Sequence, residues 1–235
     1  MATSLPRAGA NRDRPGPATN VSVVTDGSTA VPNSAEITSC VRSEQALVDA
    51  IGSMPDTDPS APSRLPGWTR GHVVTHIARN ADGLLSMFSG AHQYPHGRDG
   101  RNADIEAGAT RPWGELVADV TSRSQAVAAA IAERADWSGT VQMLSGERPM
   151  AQVPLLRQRE VEVHRVDLGL GHEFADMPTD YVRRDLRLTE MLWTSRKPMG
   201  MTDLPDAALA LDPPTRLAWL MGRVDVPGLD PADLF

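Results

Sequence analysis

Four stretches of this chain place apolar residues at every third or fourth position, and each is cut off by proline or glycine. Ile37, Cys40, Val41, Leu47, Val48 and Ile51 form the first stretch, and Val73, Ile77, Leu84, Met87 and Phe88, with His76 among them, form the second. Leu116, Val120, Val127 and Ile131 mark the third, and the fourth runs from about Gln152 to Leu168 before "GLG". A period near 3.6 gives each helix one apolar stripe, which leaves water only by packing against another stripe. The predicted fold is therefore mainly α, a four-helix bundle.

Local signals set the ends of these helices. Ser34 can cap the first, and Gly52 and Pro55 lie near its end. Thr69 can cap the second, with Trp68 and Val73 five apart as a hydrophobic staple. A linker punctuated by Pro55, Pro59, Pro62 and Pro66 separates the two. The polar stretch "HQYPHGRDGRNADIEAGAT" after the second helix reads as a long loop, and the third helix begins past Thr110 with Pro112 in its first turn. Residues 1–33, rich in Pro, Gly, Ala, Ser and Thr, read as a disordered extension ahead of a bundle over 34–175. Residues 176–235 read as a small, abridged α/β subdomain. It would hold a helix near 179–195, a short strand at "AALAL" and a last helix opened by "DPPTRLAWLMGR".

A net charge of −7 repels phosphate backbones and anionic lipid surfaces, which argues against a nucleic-acid partner. Cys40 is the single cysteine, so no intrachain disulfide forms and a cytoplasmic address is expected. No apolar run is long enough to cross a bilayer, and no signal-peptide core follows Arg7, Arg12 and Arg14. The basic residues are arginine except for Lys197, a bias typical of GC-rich coding genomes.

The segment "RQREVEVHRVDLG" puts Glu160 one turn before His164 on a face shared with Leu156 and Leu168. Positions four apart lie roughly 6 Å along the helix axis, close enough for both side chains to hold one ion. Burying a carboxylate against apolar neighbours is costly unless something pairs with it, and a metal ion is one such partner. His76, among the apolar residues of the second helix, is the natural third ligand, with His72 one turn earlier as its rival. Two imidazoles and a carboxylate suit zinc, and by ligand type nickel, cobalt or ferrous iron as well, and three protein ligands leave a position open. The plainer alternative is a stabilising Glu–His pair and a satisfied core histidine.

Other reactive residues are less constrained. Cys40 sits in an apolar stripe with no cation nearby in sequence and reads as a small buried hydrophobe. His92 and His96 fall in the expected loop. Arg79, Asn80 and Asp82 follow His76 within two turns, either as a polar helix edge or as donors and acceptors for an anionic or sugar-like ligand.

"SRLPGWTRGHVVTHIARNADGL" together with "REVEVHRVDLGLG" resembles the mycothiol-dependent maleylpyruvate isomerase family, within the DinB-like group of metal-binding four-helix bundles. The resemblance runs from the first helix to about Gly171 and recurs at "RLAWLMGR". It implies zinc held by His76, Glu160 and His164, with mycothiol, the small thiol of actinobacteria, as cosubstrate. It also implies an arginine in the C-terminal part that matters for activity, for which Arg223 is the candidate; a helix-terminal charge is the alternative. Members usually carry a fuller α/β domain after the bundle. The shortened segment here is compatible with mycothiol S-transferases of antibiotic biosynthesis, acting on a small electrophilic substrate, as well as with the isomerase.

Overall fold

The computed structural model describes residues 31–196 and 202–234. Most of the amino-terminal extension, expected to be disordered, therefore lies outside the described residues. Helix α1 (Ser34–Gly52) is capped one residue earlier than the sequence suggested. Asn33 accepts from the Glu36 amide while Glu36 accepts from that of Asn33, a reciprocal capping box. Asn satisfies the orphan amide as well as Ser would, worth about 1 kcal/mol, so the two adjacent candidates were close in energy.

Helices α2 (Arg70–Phe88), α3 (Gly97–Ala109), α4 (Trp113–Glu133) and α5 (Val153–Asp167) follow. The bundle consists of α1, α2, α4 and α5: α1 packs on α4 and α5, and α2 packs on α4 and α5. Leu47, Ile51, Val73, Ile77, Leu116, Val120 and Val161 fill one layer of its interior, and Cys40, Leu84, Val127, Ile131 and Val153 fill the next.

The segment expected to be a loop is instead the helix α3. Only Ile105, Gly108 and Ala109 are buried in it, too few to make a readable stripe. Tertiary contact holds it on α2. A Cβ on Gly71 would lie 2.0 Å from the Ala109 carbonyl oxygen, and one on Gly108 would lie 2.5 Å from Thr75 Cγ2. Two glycines thus allow backbones to approach closer than any side chain would permit.

Between α4 and α5 an antiparallel hairpin pairs β1 (Thr140–Met143) with β2 (Gly146–Pro149). Past α5 come α6 (Thr179–Ser195), α7 (Asp206–Leu209) and α8 (Pro213–Leu220). The short strand expected at "AALAL" is helical over its first part, as α7, and no strand occurs among the described residues after β2. Tyr181, Leu186, Trp193, Leu217, Trp219 and Leu220 build a second core there, and Val163 and Val166 of α5 join it. One face of α5 therefore serves the bundle and another the C-terminal helices. No helix of the described residues is long and apolar enough to cross a membrane.

Candidate metal centre

Helices α2 and α5 are locked in register before any side chain reacts. Arg70, at the start of α2, donates to the carbonyl oxygens of Leu168 (3.1 Å) and Gly169 (3.4 Å), and the Arg64 amide donates to that of Asp167 (2.7 Å). Gly169 adopts φ +66° there, which ends α5 in the left-handed turn that glycine favours. Thr69 caps α2 as the sequence suggested, and Trp68 packs on the core that contains Val73.

This register brings His76, Glu160 and His164 together: one ligand atom from each lies within 4.8 Å of the other two. His76 Nε2 is 2.9 Å and His164 Nε2 is 3.5 Å from the same carboxylate oxygen, Glu160 Oε2. The two imidazoles stand edge to face, 4.7 Å between centroids. Ligands about 2.0–2.1 Å from a tetrahedral zinc lie roughly 3.3 Å apart, so this spacing suits a shared cation. Among the described residues no other cluster of metal-ligating side chains is this tight. His76 is buried, whereas 32% of the Glu160 side chain remains open to solvent, so the centre has one exposed side.

The outer partners differ between the two histidines. His164 Nδ1 donates to Asp167 Oδ2 (2.8 Å), an arrangement that fixes the tautomer and leaves Nε2 aimed at Glu160. Asp167 in turn accepts from Arg223 Nε (2.9 Å) and Nη2 (3.1 Å). On the other side, Arg101 of α3 donates from Nη2 to His76 Nδ1 (2.9 Å), so the metal-free His76 carries its proton on Nε2 and donates it to Glu160. The Trp68 ring meets His76 edge-on at 5.6 Å.

These surroundings separate the two imidazoles electrostatically. Burial pushes His76 down to about 4, although the Glu160 contact opposes the shift. Burial also disfavours the charged form of His164, but the hydrogen bonds to Asp167 and Glu160 outweigh it and carry His164 up to about 8. Glu160 itself is held well below the usual carboxylate range: burial would raise it, and the His164 and His76 contacts overcome that.

The remaining candidates are placed elsewhere. His72 accepts from the Thr69 amide through Nδ1 (3.1 Å) and faces Glu106 through Nε2 (3.3 Å), so the rival ligand is spent on capping α2. Arg79 pairs with Asp82 and Asp119, and Asp82 also with Arg123. Asn80 Oδ1 accepts from the buried Arg157 (2.8 Å). The three residues weighed as ligand contacts thus form part of the α2–α4 surface and of the core. Cys40 is buried, and loss of solvent pushes its thiol far up. Arg223 reaches the centre through Asp167 and not by direct contact with the triad. Sequence reasoning missed Asp167 and Arg101. Asp167 stood three residues after His164 on the same helix and was readable, while Arg101 lay in a segment without a helical stripe.

The model of the mycothiol maleylpyruvate isomerase N-terminal domain matches residues 40–169, more than half of the chain and all of the triad. The chain belongs to this family. The mycothiol maleylpyruvate isomerase match ends at Gly169, so Asp167 and Arg101 fall within it and Arg223 beyond it. The fold is similar to the crystal structure of the mycothiol-dependent maleylpyruvate isomerase, with TM-score 0.68 and 23% identity over 81% of this chain and 89% of that one. A histidine-to-alanine mutant of that isomerase aligns with TM-score 0.69 and 22% identity over the same shares. No curated protein matches the chain.

Proposed function

We propose that this protein is a mycothiol S-transferase that activates the mycothiol thiol on a divalent cation, zinc by donor chemistry, for attack on a small electrophile. The observation that carries the reading is the convergence of His76, Glu160 and His164 within 4.8 Å at a centre with one side open to solvent. A divalent ion bound there supplies a positive charge that removes the proton from a thiol, whose free pKa is near 8.5.

The chain's own residues provide the rest. Asp167 holds a proton on His164 Nδ1, so that Nε2 is the nitrogen left to ligate once the ring gives up its other proton, and Arg223 orients Asp167. Trp68 packs edge-on against the His76 ring. A cleft of about 430 Å³ opens beside Asp167 and Arg223, lined also by Arg64, Leu65, Phe174 and Pro214. Its size falls within the range of small-molecule sites, and it offers both apolar surface and charged groups to a sugar-bearing thiol.

The isomerase is the second reading, favoured by the fold shared with the maleylpyruvate isomerase structures. There the sulfur would add to the double bond of maleylpyruvate, permit rotation about the single bond formed, and leave as the double bond is restored. In the transferase the sulfur stays on the product while another group departs. The helical segment α6–α8, standing where the resemblance implies an α/β layer, favours a different electrophile.

Calorimetric titration with mycothiol, before and after treatment with chelator, tests the proposal. Binding that needs the metal and vanishes in His76→Ala is the expected result. Equal binding with and without metal would overturn it.

A further inference from the structure

Beside the shared protons that ligation displaces, the Arg101–His76 contact is a further arrangement that a bound cation and the metal-free centre cannot share. A guanidinium only donates, so the 2.9 Å contact requires a lone pair on His76 Nδ1. A neutral imidazole that ligates through Nε2 carries its proton on Nδ1, which would set two N–H groups against each other. Ligation through Nδ1 instead would put the cation where Arg101 sits. Either way the Arg101 contact and the metal exclude each other.

The arginine also lacks what most of its counterparts have. Arg79, Arg111, Arg157, Arg159, Arg165 and Arg223 each meet a carboxylate. Among the described residues Arg101 has no carboxylate within salt-bridge distance: it hydrogen-bonds His76, Asn102 Oδ1 (2.9 Å) and the Tyr94 side chain, over whose ring it lies at 6.0 Å. A divalent cation on two neutral imidazoles and one carboxylate leaves a net positive centre, and Arg101 adds to it. Such a pair of charges calls for an anion.

We propose that Arg101 is a substrate-binding residue that leaves His76 when the metal loads and then pairs with a carboxylate of the ligand at the open side of the centre. The inference rests on the metal reading above and assigns the ligand an anionic group next to its reacting atom. Helix α3, seated on α2 by Gly71 and Gly108, is what carries the guanidinium to this place. A planar two-pronged donor matches a carboxylate, whereas a lone imidazole nitrogen uses only one of its prongs.

Chelator competition with Co²⁺, followed by its visible bands, tests the first half. Arg101→Met should bind Co²⁺ about fivefold more tightly than the unaltered protein, because the Arg101–His76 hydrogen bond no longer has to be broken on loading. The second half is read by titrating succinate into the Co²⁺-loaded protein. Arg101→Met should bind succinate about tenfold more weakly, Arg101→Lys should keep part of that affinity, and Arg98→Met on the same helix should change neither quantity. Co²⁺ affinity unchanged in Arg101→Met, or succinate affinity equal in the two proteins, overturns the Arg101 assignment while leaving the metal centre standing. Failure of the unaltered protein to bind Co²⁺ overturns both.

Discussion

Arg223 grips both carboxylate oxygens of Asp167, 56 residues away in the chain, and the same carboxylate holds His164. The C-terminal segment is thereby wired to the His76–Glu160–His164 cluster by one ion pair and one hydrogen bond. Such outer partners typically contribute 10–100-fold to metal affinity. Asp167→Asn and Arg223→Met should each lower zinc affinity by about that factor, measured by competition with a chromophoric chelator, with the double variant little worse than either single one. Additive losses would mean that the two residues do not act as a chain.

The triad itself should respond more steeply. Glu160→Gln keeps the shape and removes the charge that both imidazoles face. Its zinc affinity should fall by more than the roughly 100-fold ascribed to an outer partner. Metal content after dialysis against a weak chelator distinguishes the outcomes: about one ion per chain in the unaltered protein, and close to none in the variant.

Acid–base behaviour offers an independent check. His164 is raised to about 8 and must lose its proton to bind a cation, so at pH 7 loading should release close to one proton. Zinc affinity should climb about tenfold per pH unit up to pH 8 and then flatten. In the metal-free protein the same shift stabilises the fold fully below the unfolded value near 6.5, and that contribution is lost as pH rises through 8. Calorimetry in two buffers of different ionisation enthalpy counts the protons, and thermal melts across pH 6 to 9 follow the second effect.

How far the sequence spoke for the structure differed from element to element. The apolar stripes announced α1, α2 and α4, because each buries enough aliphatic surface to show a 3.6-residue period, whereas α5, whose buried face mixes valines with Arg157, Gln158, Glu162 and Asp167, was marked off mainly by the glycines that end it. The triad was legible for a related reason: Glu160 and His164 are one turn apart, and His76 sits inside a stripe. Helix α3 was not, since its stability comes from Gly71 and Gly108 meeting Ala109 and Thr75 across a gap no periodicity encodes. Arg101 went unnoticed with it. At "AALAL" alternating alanine and leucine fit strand and helix equally, and the Pro205 cap together with burial of Ala208 decided for helix.

That account of α3 makes a prediction of its own. Gly71→Ala places a methyl group 2.0 Å from the Ala109 carbonyl oxygen, a backbone atom that cannot rotate away. Overpacking of this kind costs about 1–3 kcal/mol, and here it should push α3 off α2 and take Arg101 with it. Urea melts should therefore show lower stability. Faster amide exchange should be confined mainly to α3, since the four bundle helices pack without it; uniform loss of protection across the bundle would contradict this division.

The buried Arg157–Glu44 pair is the deepest electrostatic commitment in the bundle. Arg157 Nε donates to Glu44 Oε1 (2.6 Å), Nη2 to Oε2 (3.1 Å), and Nη1 to the Ile77 carbonyl (3.1 Å) and Asn80 Oδ1 (2.8 Å). Both side chains are almost fully buried, and these partners take up four of the five guanidinium N–H groups. Glu44→Ala would strand that charge, which costs about 3–5 kcal/mol, whereas replacing both residues by apolar ones of similar volume removes the charge as well. Glu44→Ala should thus lower the melting temperature sharply, and Glu44→Leu with Arg157→Met should recover much of the loss. Because Asn80 and Ile77 stand within one turn of His76, the single variant should also loosen the ligand set and weaken zinc binding. A double variant that regains stability without regaining metal affinity would show that the pair orients α2 and does not merely hold it.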